Sequence, residues 1–193
     1  MLTPMPMPTD ERLIALLAEK SMLFGEFTLA SGRRSEFYID ARLSTMSPDG
    51  LRLIGEAGRD ALARSGWNVD AIGGLTMGAD PIAYAIAYAS ADSPKPLRAF
   101  AVRKEPKLHG TGKRVEGPFG KGDVVAVIED VITSGGSALS AIDAVQAEGG
   151  IVAGVLALLD REEGGVEKIE ARGARVIALT RASDVLRAAR RQR

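Results

Sequence analysis

The stretch Val124–Asp143, VVAVIEDVITSGGSALSAID, decides how the chain is read. An unbroken apolar run, Val124 to Ile128, leads into two adjacent carboxylates, Glu129 and Asp130. A run without polar alternation reads as a strand covered on both faces. The turn Thr133–Ser137 (TSGGS) follows, and then a helical pattern. Gly135 and Gly136 let the backbone bend with its N–H groups facing inward, and Thr133, Ser134 and Ser137 add hydroxyls. The positive end of the next helix completes a cradle for phosphate. No Gly-Lys-Ser/Thr follows the glycines and no G-x-G-x-x-G is present, so this is neither a Walker loop nor a dinucleotide fingerprint. The glycine pair alone would also fit a plain strand-to-helix turn. The two acids tilt the reading, because neighbouring carboxylates at a buried strand end repel and call for cations or hydroxyl donors. The vicinal hydroxyls of a ribose would serve, so the stretch reads as a sugar-phosphate site.

Outward from this stretch, apolar strands alternate with helices. Strands are expected at 69–76, 97–104, 122–130, 151–161 and 174–180. Helices are expected at 80–90, 137–150, 165–173 and 183–190. The pattern predicts an α/β fold with a mostly parallel central sheet flanked by helices. In such sheets the ligand sits at the carboxyl ends of the strands. Gly73-Gly74, Arg103-Lys104, Glu129-Asp130 and Asp160-Arg161 all fall at those ends. Before the sheet, a helix is expected over 10–22, capped by Thr9 or Asp10, then two short strands around Ser31-Gly32, forming a small hood. A further helix is expected over Pro48–Ser65, with Ser47 as cap and Gly66 at the stop. Residues 104–121 lack an apolar period and are rich in Gly, Pro and charge, and are expected to be a long mobile active-site loop. Residues 1–9 read as a loose leader and 10–193 as one domain.

The chain has 193 residues, 46% apolar and 26% charged, with 25 basic and 25 acidic side chains. Balanced charge gives no field for nucleic acid or an anionic membrane, so any anion site is local. Cysteine is absent, which excludes disulfides, thiol nucleophiles and zinc–thiolate sites, and the single histidine, His109, excludes a histidine metal cluster. No apolar run is long enough to span a bilayer and the start lacks a signal-peptide pattern, so the cytoplasm is expected.

VVAVIEDVITSGGS resembles the diphosphoribosyl-binding motif of the type I phosphoribosyltransferases. FGEFTLASGRRSEFYID (24–40), VRKEPKLHG (102–110) and LLDREEGG (158–165) resemble orotate phosphoribosyltransferase, in that order and at similar spacing. With GGLTMGADPIA (73–83), the likeness runs from the first helix nearly to the C-terminus. The resemblance implies magnesium-dependent transfer of ribose 5-phosphate from phosphoribosyl diphosphate (PRPP) to orotate, giving orotidine 5′-monophosphate and diphosphate in pyrimidine biosynthesis. It implies Lys107 as the catalytic lysine, neutralising the leaving diphosphate, and His109 as a donor to the same group. It implies PRPP contacts from Arg103, Lys104, Lys107 and His109, from Glu129 and Asp130 on the ribose hydroxyls, and from Val131 through Ser137, that is Val131, Ile132, Thr133, Ser134, Gly135, Gly136 and Ser137. Asp130, with Glu129, would also stabilise the developing ring cation. It implies orotate contacts from Thr133, Arg161, Tyr38 and Ile39. Mg2+ would be held mainly through PRPP and water, without a dedicated protein cage. A homodimer is implied, the 104–121 loop reaching the neighbouring active site. Some relatives carry lysines where this chain has Ala30 and Met77, so no lysine role passes to those positions.

Two other readings compete. One is a purine phosphoribosyltransferase, against which Arg161 and the 103–110 segment argue. The other is a PRPP-sensing regulator without turnover, disfavoured by the charge balance and by Lys107.

Overall fold

A computed structural model describes residues 11–28, 34–105 and 113–192. Its first helix, α1 (Glu11–Lys20), buries Leu13, Leu16 and Leu17 on one face. The expected continuation to Met22 does not occur. Met22 instead opens strand β1 (Met22–Thr28) opposite Ile39 of β2 (Arg34–Ile39), because hairpin pairing and burial of Met22 outweigh helical spacing. This antiparallel pair is separate from the main sheet and forms the hood.

A four-residue helix, α2 (Arg42–Thr45), was not expected from the sequence. Helix α3 (Pro48–Ser65) follows the expected bounds: Ser47 Oγ accepts the Gly50 N–H, Pro48 opens the first turn and Gly66 closes the helix in the left-handed region. Strand β3 (Ala71–Leu75), helix α4 (Ala79–Ala89) and strand β4 (Arg98–Val102) come next. They are followed by β5 (Val115–Glu116), β6 (Val124–Ile132), α5 (Gly136–Ala147) and β7 (Ile151–Asp160). The chain closes with α6 (Gly165–Ala171), β8 (Val176–Arg181) and α7 (Ala182–Arg191).

The main sheet runs β5-β4-β3-β6-β7-β8, all parallel except β5. Strand β5 corrects the expected 104–121 loop. Val115 is buried and pairs with Val102, so Val115–Glu116 is strand rather than loop. The sheet is sandwiched between two cores. One gathers Leu17, Ile54, Ile86, Ile128 and Val185, from α1, α3, α4, β6 and α7. The other gathers Phe100, Val127, Ile142, Val145 and Ile169, from β4, β6, α5 and α6. Burial on both faces is why the strands read as continuous apolar runs. Among the described residues, no helix is long and apolar enough to cross a membrane.

The order of strands also fixes where a ligand can enter. From β3 the chain steps to β4 on one side, whereas β6, β7 and β8 run off on the other. The loops after β3 and β6 therefore diverge, and a crevice opens between them at the carboxyl edge.

Candidate active site

A cavity of about 1040 Å³ lies at that crevice. Tyr38, Ile39, Asp40 and Arg42 line it from the hood side, and Thr76, Met77 and Gly78 from the loop after β3. Glu129, Asp130, Val131, Thr133, Ser134 and Ser137 line it from β6 and the turn beyond. Lys104, Arg161 and Glu163 complete the wall.

The acidic pair lies inside β6 rather than after it, since the strand continues to Ile132. Glu129 is 8% exposed. Burial is the main cause pushing its carboxyl up to about 9, with the Asp130 charge and a hydrogen bond with Asp130 adding to it. At neutral pH, Glu129 therefore keeps its proton. Asp130 is half-buried and its Oδ1 accepts the N–H of Val131 at 2.8 Å. The loop after β3 packs directly against this carboxylate: a Cβ placed on Gly78 would lie 2.5 Å from Asp130 Oδ2. Only a residue without a side chain allows that approach. The Thr76–Met77 peptide in the same loop is cis.

Beyond β6, Gly135 caps α5 with φ 74°, a conformation that favours glycine. The turn Thr133–Gly135 and the first turn of α5 bring Thr133, Ser134 and Ser137 to the cavity wall. Helix α5 thus aims its N-terminal end at the cavity. Ile132 is buried, with its side chain in the core, and its carbonyl accepts the Arg161 N–H at 2.9 Å.

At the far end of α5, Glu148 Oε1 accepts the N–H groups of Arg114 and Val115 at 2.8 and 2.9 Å. Arg114 in turn donates Nε to the Arg103 carbonyl and Nη2 to Ser140 Oγ, while the Arg103 N–H donates to the Arg114 carbonyl. One helix therefore carries the cradle at its start and clamps the Arg103–Arg114 neck at its end.

Arg161 is the cation opposite the acids. Its side chain is 7% exposed and its Nη2 donates to Glu163 Oε1 at 3.1 Å. The pairing with Glu163 that a surface arginine would make is present, but the Arg161 side chain is turned into the cavity wall. Lys104 lines the cavity. Arg103 is not among the lining residues; its Nη1 lies 3.8 Å from Glu116 Oε1. Lys107 and His109 fall outside the described residues.

Sequence reasoning passed over Arg42. It grips Asp40 through Nε and Nη2 at 2.8 and 3.0 Å, and both line the cavity. The Asp40 carboxylate raises the Arg42 pKa foremost, and the Asp130 charge contributes as well. The only signal was its place directly after the last hood strand.

The described lining offers three cations, Arg42, Lys104 and Arg161, against Asp40, Asp130 and Glu163, with Glu129 holding its proton. No three His, Cys, Asp or Glu side chains cluster as a metal site among the described residues.

No family model matches the chain. Individual proteins do. The orotate phosphoribosyltransferase of Aquifex aeolicus is 45% identical over 179 residues, covering 91% of this chain and 97% of that one. That of Rhodopirellula baltica is 46% identical, covering 89% and 91%. This chain belongs to the orotate phosphoribosyltransferase family. The solved orotate phosphoribosyltransferase of Mycobacterium tuberculosis in complex with Fe(III) dicitrate superposes with a TM-score of 0.82 at 40% identity, covering 92% of this chain and 99% of that one. The same enzyme in complex with PRPP gives 0.77 at 38%, with the same coverage. An adenine phosphoribosyltransferase from Leishmania tarentolae gives 0.66 at 20% identity, a likeness of fold alone. The orotate reading thus prevails over the purine one on identity.

Proposed function

We propose that the chain transfers ribose 5-phosphate from PRPP to orotate, forming orotidine 5′-monophosphate and diphosphate for pyrimidine biosynthesis. In the transfer, the bond between ribose C1 and the diphosphate oxygen breaks, a bond from C1 to orotate N1 forms, and the N1 proton passes to the departing diphosphate. The observation that carries this reading is the facing arrangement of the Glu129–Asp130 pair, the Thr133–Ser137 cradle and the buried Arg161 around one cavity. The cradle suits the 5′-phosphate, with hydroxyl and backbone donors at a helix N-terminus. Asp130 accepts from a ribose hydroxyl and stabilises positive charge growing on the ring. Glu129, protonated at neutral pH, can donate to one hydroxyl while accepting from another. Arg161 meets the carboxylate of the base.

The diphosphate needs positive charge that the balanced described lining does not supply. In this reading Lys107 and His109 supply part of it from the 106–110 segment. Mg2+, when bound, supplies charge neutralisation on the diphosphate oxygens. It would be held mainly by PRPP and water oxygens, the described lining offering no dedicated set of metal ligands.

A homodimer is part of the same proposal. Leu43, Met46 and Met77 are exposed around one surface hollow, and Tyr84 and Tyr88 stand exposed on α4. Exposed apolar groups gathered near a site mark an interface, and a second copy lending its loop would supply the missing cations. Sedimentation should give twice the chain mass; a monomer retaining full activity would remove this part. The cytoplasm is the compartment the reading implies. The central test is the ultraviolet absorbance of orotate on adding PRPP and Mg2+. A fall that needs all three components is expected. Orotate left intact while a purine base is consumed would overturn the assignment.

A further inference from the structure

The turn after β7 contains the one non-glycine residue with positive φ among those described, Glu162 at 58°. A side chain in the left-handed region is strained, so such a residue persists only where its surroundings hold it. Two contacts hold Glu162. Its N–H donates to Asp160 Oδ1 at 2.8 Å, and its Oε2 accepts the Ser183 N–H at 2.9 Å, at the start of α7. Glycine would adopt this φ without strain but could not reach Ser183. The turn has a definite product: it folds the chain back so that the Glu163 carboxylate lands on the guanidinium of Arg161, two residues earlier.

Arg161 is fixed from the other side as well, by its backbone bond to Ile132 at the end of β6. With a side chain only 7% exposed, the guanidinium is largely stripped of water. Arg161 and Glu163 both line the main cavity and also a second one of about 600 Å³ beside the hood strand β2. The pair is therefore a partition between two open spaces, and without a tether the guanidinium could swing into either. Glu163 engages Nη2, leaving Nη1 and Nε as donors uncommitted to it.

We propose that Glu163 is a positioning residue that commits one edge of the Arg161 guanidinium and turns the other to the main cavity, where it receives the carboxylate of the base. The proposal rests on the reading that Arg161 meets that carboxylate. Glu163 touches Arg161 and not the reacting atoms. Its work is done by the acceptor oxygen rather than by negative charge, since a second carboxylate near the site would of itself repel an anionic base.

The test is steady-state kinetics of the full chain with orotate, PRPP and Mg2+, with thermal unfolding followed in parallel. Glu163→Ala should raise the KM for orotate about tenfold, the loss of the one hydrogen bond that orients its partner. The KM for PRPP and kcat should stay within about twofold, a split that general loosening of the fold would not produce. Glu163→Gln keeps an oxygen at the same reach and should hold the orotate KM within about threefold of the parent. An unchanged orotate KM in Glu163→Ala, or equal rises for both substrates, overturns the proposal. If the alanine variant does not fold, Glu163→Gln decides: a tenfold rise there shows that charge rather than the acceptor matters, and overturns it. A parent chain that leaves orotate unconsumed fails the functional reading itself, and this proposal with it; an active parent with an indifferent Glu163→Ala fails this proposal alone.

Discussion

Replacing Glu129 by glutamine isolates the energetic cost of its buried carboxyl. The residue is 8% exposed and its pKa is pushed from 4.5 to about 9, chiefly by burial. In the unfolded chain the proton leaves near the ordinary value; in the folded chain it stays until far higher pH. Between the two, the folded state binds one proton more, so stability falls as pH rises, and the loss is complete only above the folded value. The slope is about 1.4 kcal/mol per pH unit, so the parent should lose about 4 kcal/mol between pH 5 and 8 through this group. Glutamine preserves shape and cannot ionise, and every other titrating group is common to both chains. The difference in unfolding free energy should therefore grow with pH, the variant gaining steadily on the parent. In thermal melts this corresponds to a divergence of about 10 °C across that range for a chain of this size. Urea unfolding at pH 5, 6, 7 and 8 on both proteins measures it directly. Parallel profiles would refute the reasoning, because they would mean that Glu129 ionises alike in both states and that its burial does not govern its proton.

Three other outcomes are expected. Arg161→Ala should raise the orotate KM at least about tenfold while the PRPP KM moves less than about twofold, read from initial rates with each substrate varied. Gly165→Ala would drive a methyl group into the Thr133 carbonyl, 2.6 Å from Ile132 Cγ2 and 2.9 Å from the Gly135 nitrogen. It should cost about 2 kcal/mol in denaturant unfolding and weaken PRPP binding, because the cradle must shift to admit it. Ser47→Ala removes the side-chain cap of α3 and should cost about 1 kcal/mol in denaturant unfolding; an unchanged stability would mean that the Gly50 N–H finds another acceptor.

The architecture was readable because its strands are buried on both faces. Val124–Ile128 and Val155–Leu159 have no polar side to confuse the pattern, and each ends in chemistry-bearing residues. The α3 boundaries were equally plain, written in Ser47, Pro48 and Gly66. What escaped notice depends on contacts distant in sequence. Strand β5 has only Val115 and Glu116 to declare it and exists because β4 has a free edge. Helix α2 is a single turn following β2, and Arg42 reaches the cavity through it. The orientation of Arg103 toward Glu116 is likewise set by the β4–β5 pairing, which no local pattern encodes. Glu162 carried no cue either: nothing in DREE announces a left-handed glutamate, because the anchor at Ser183 lies 21 residues away.

Helix α5 spans 12 residues, so its two ends stand about 18 Å apart and are locked in a fixed rotational phase. Removing or adding one residue within it would turn Glu148 by about 100° around the axis and swing its carboxylate off the Arg114 and Val115 amides. The rod thus functions as a gauge. Its surface residues are free to vary, but its length is pinned at both extremities, and an insertion or deletion there would disconnect one end from the other even if every remaining turn stayed wound.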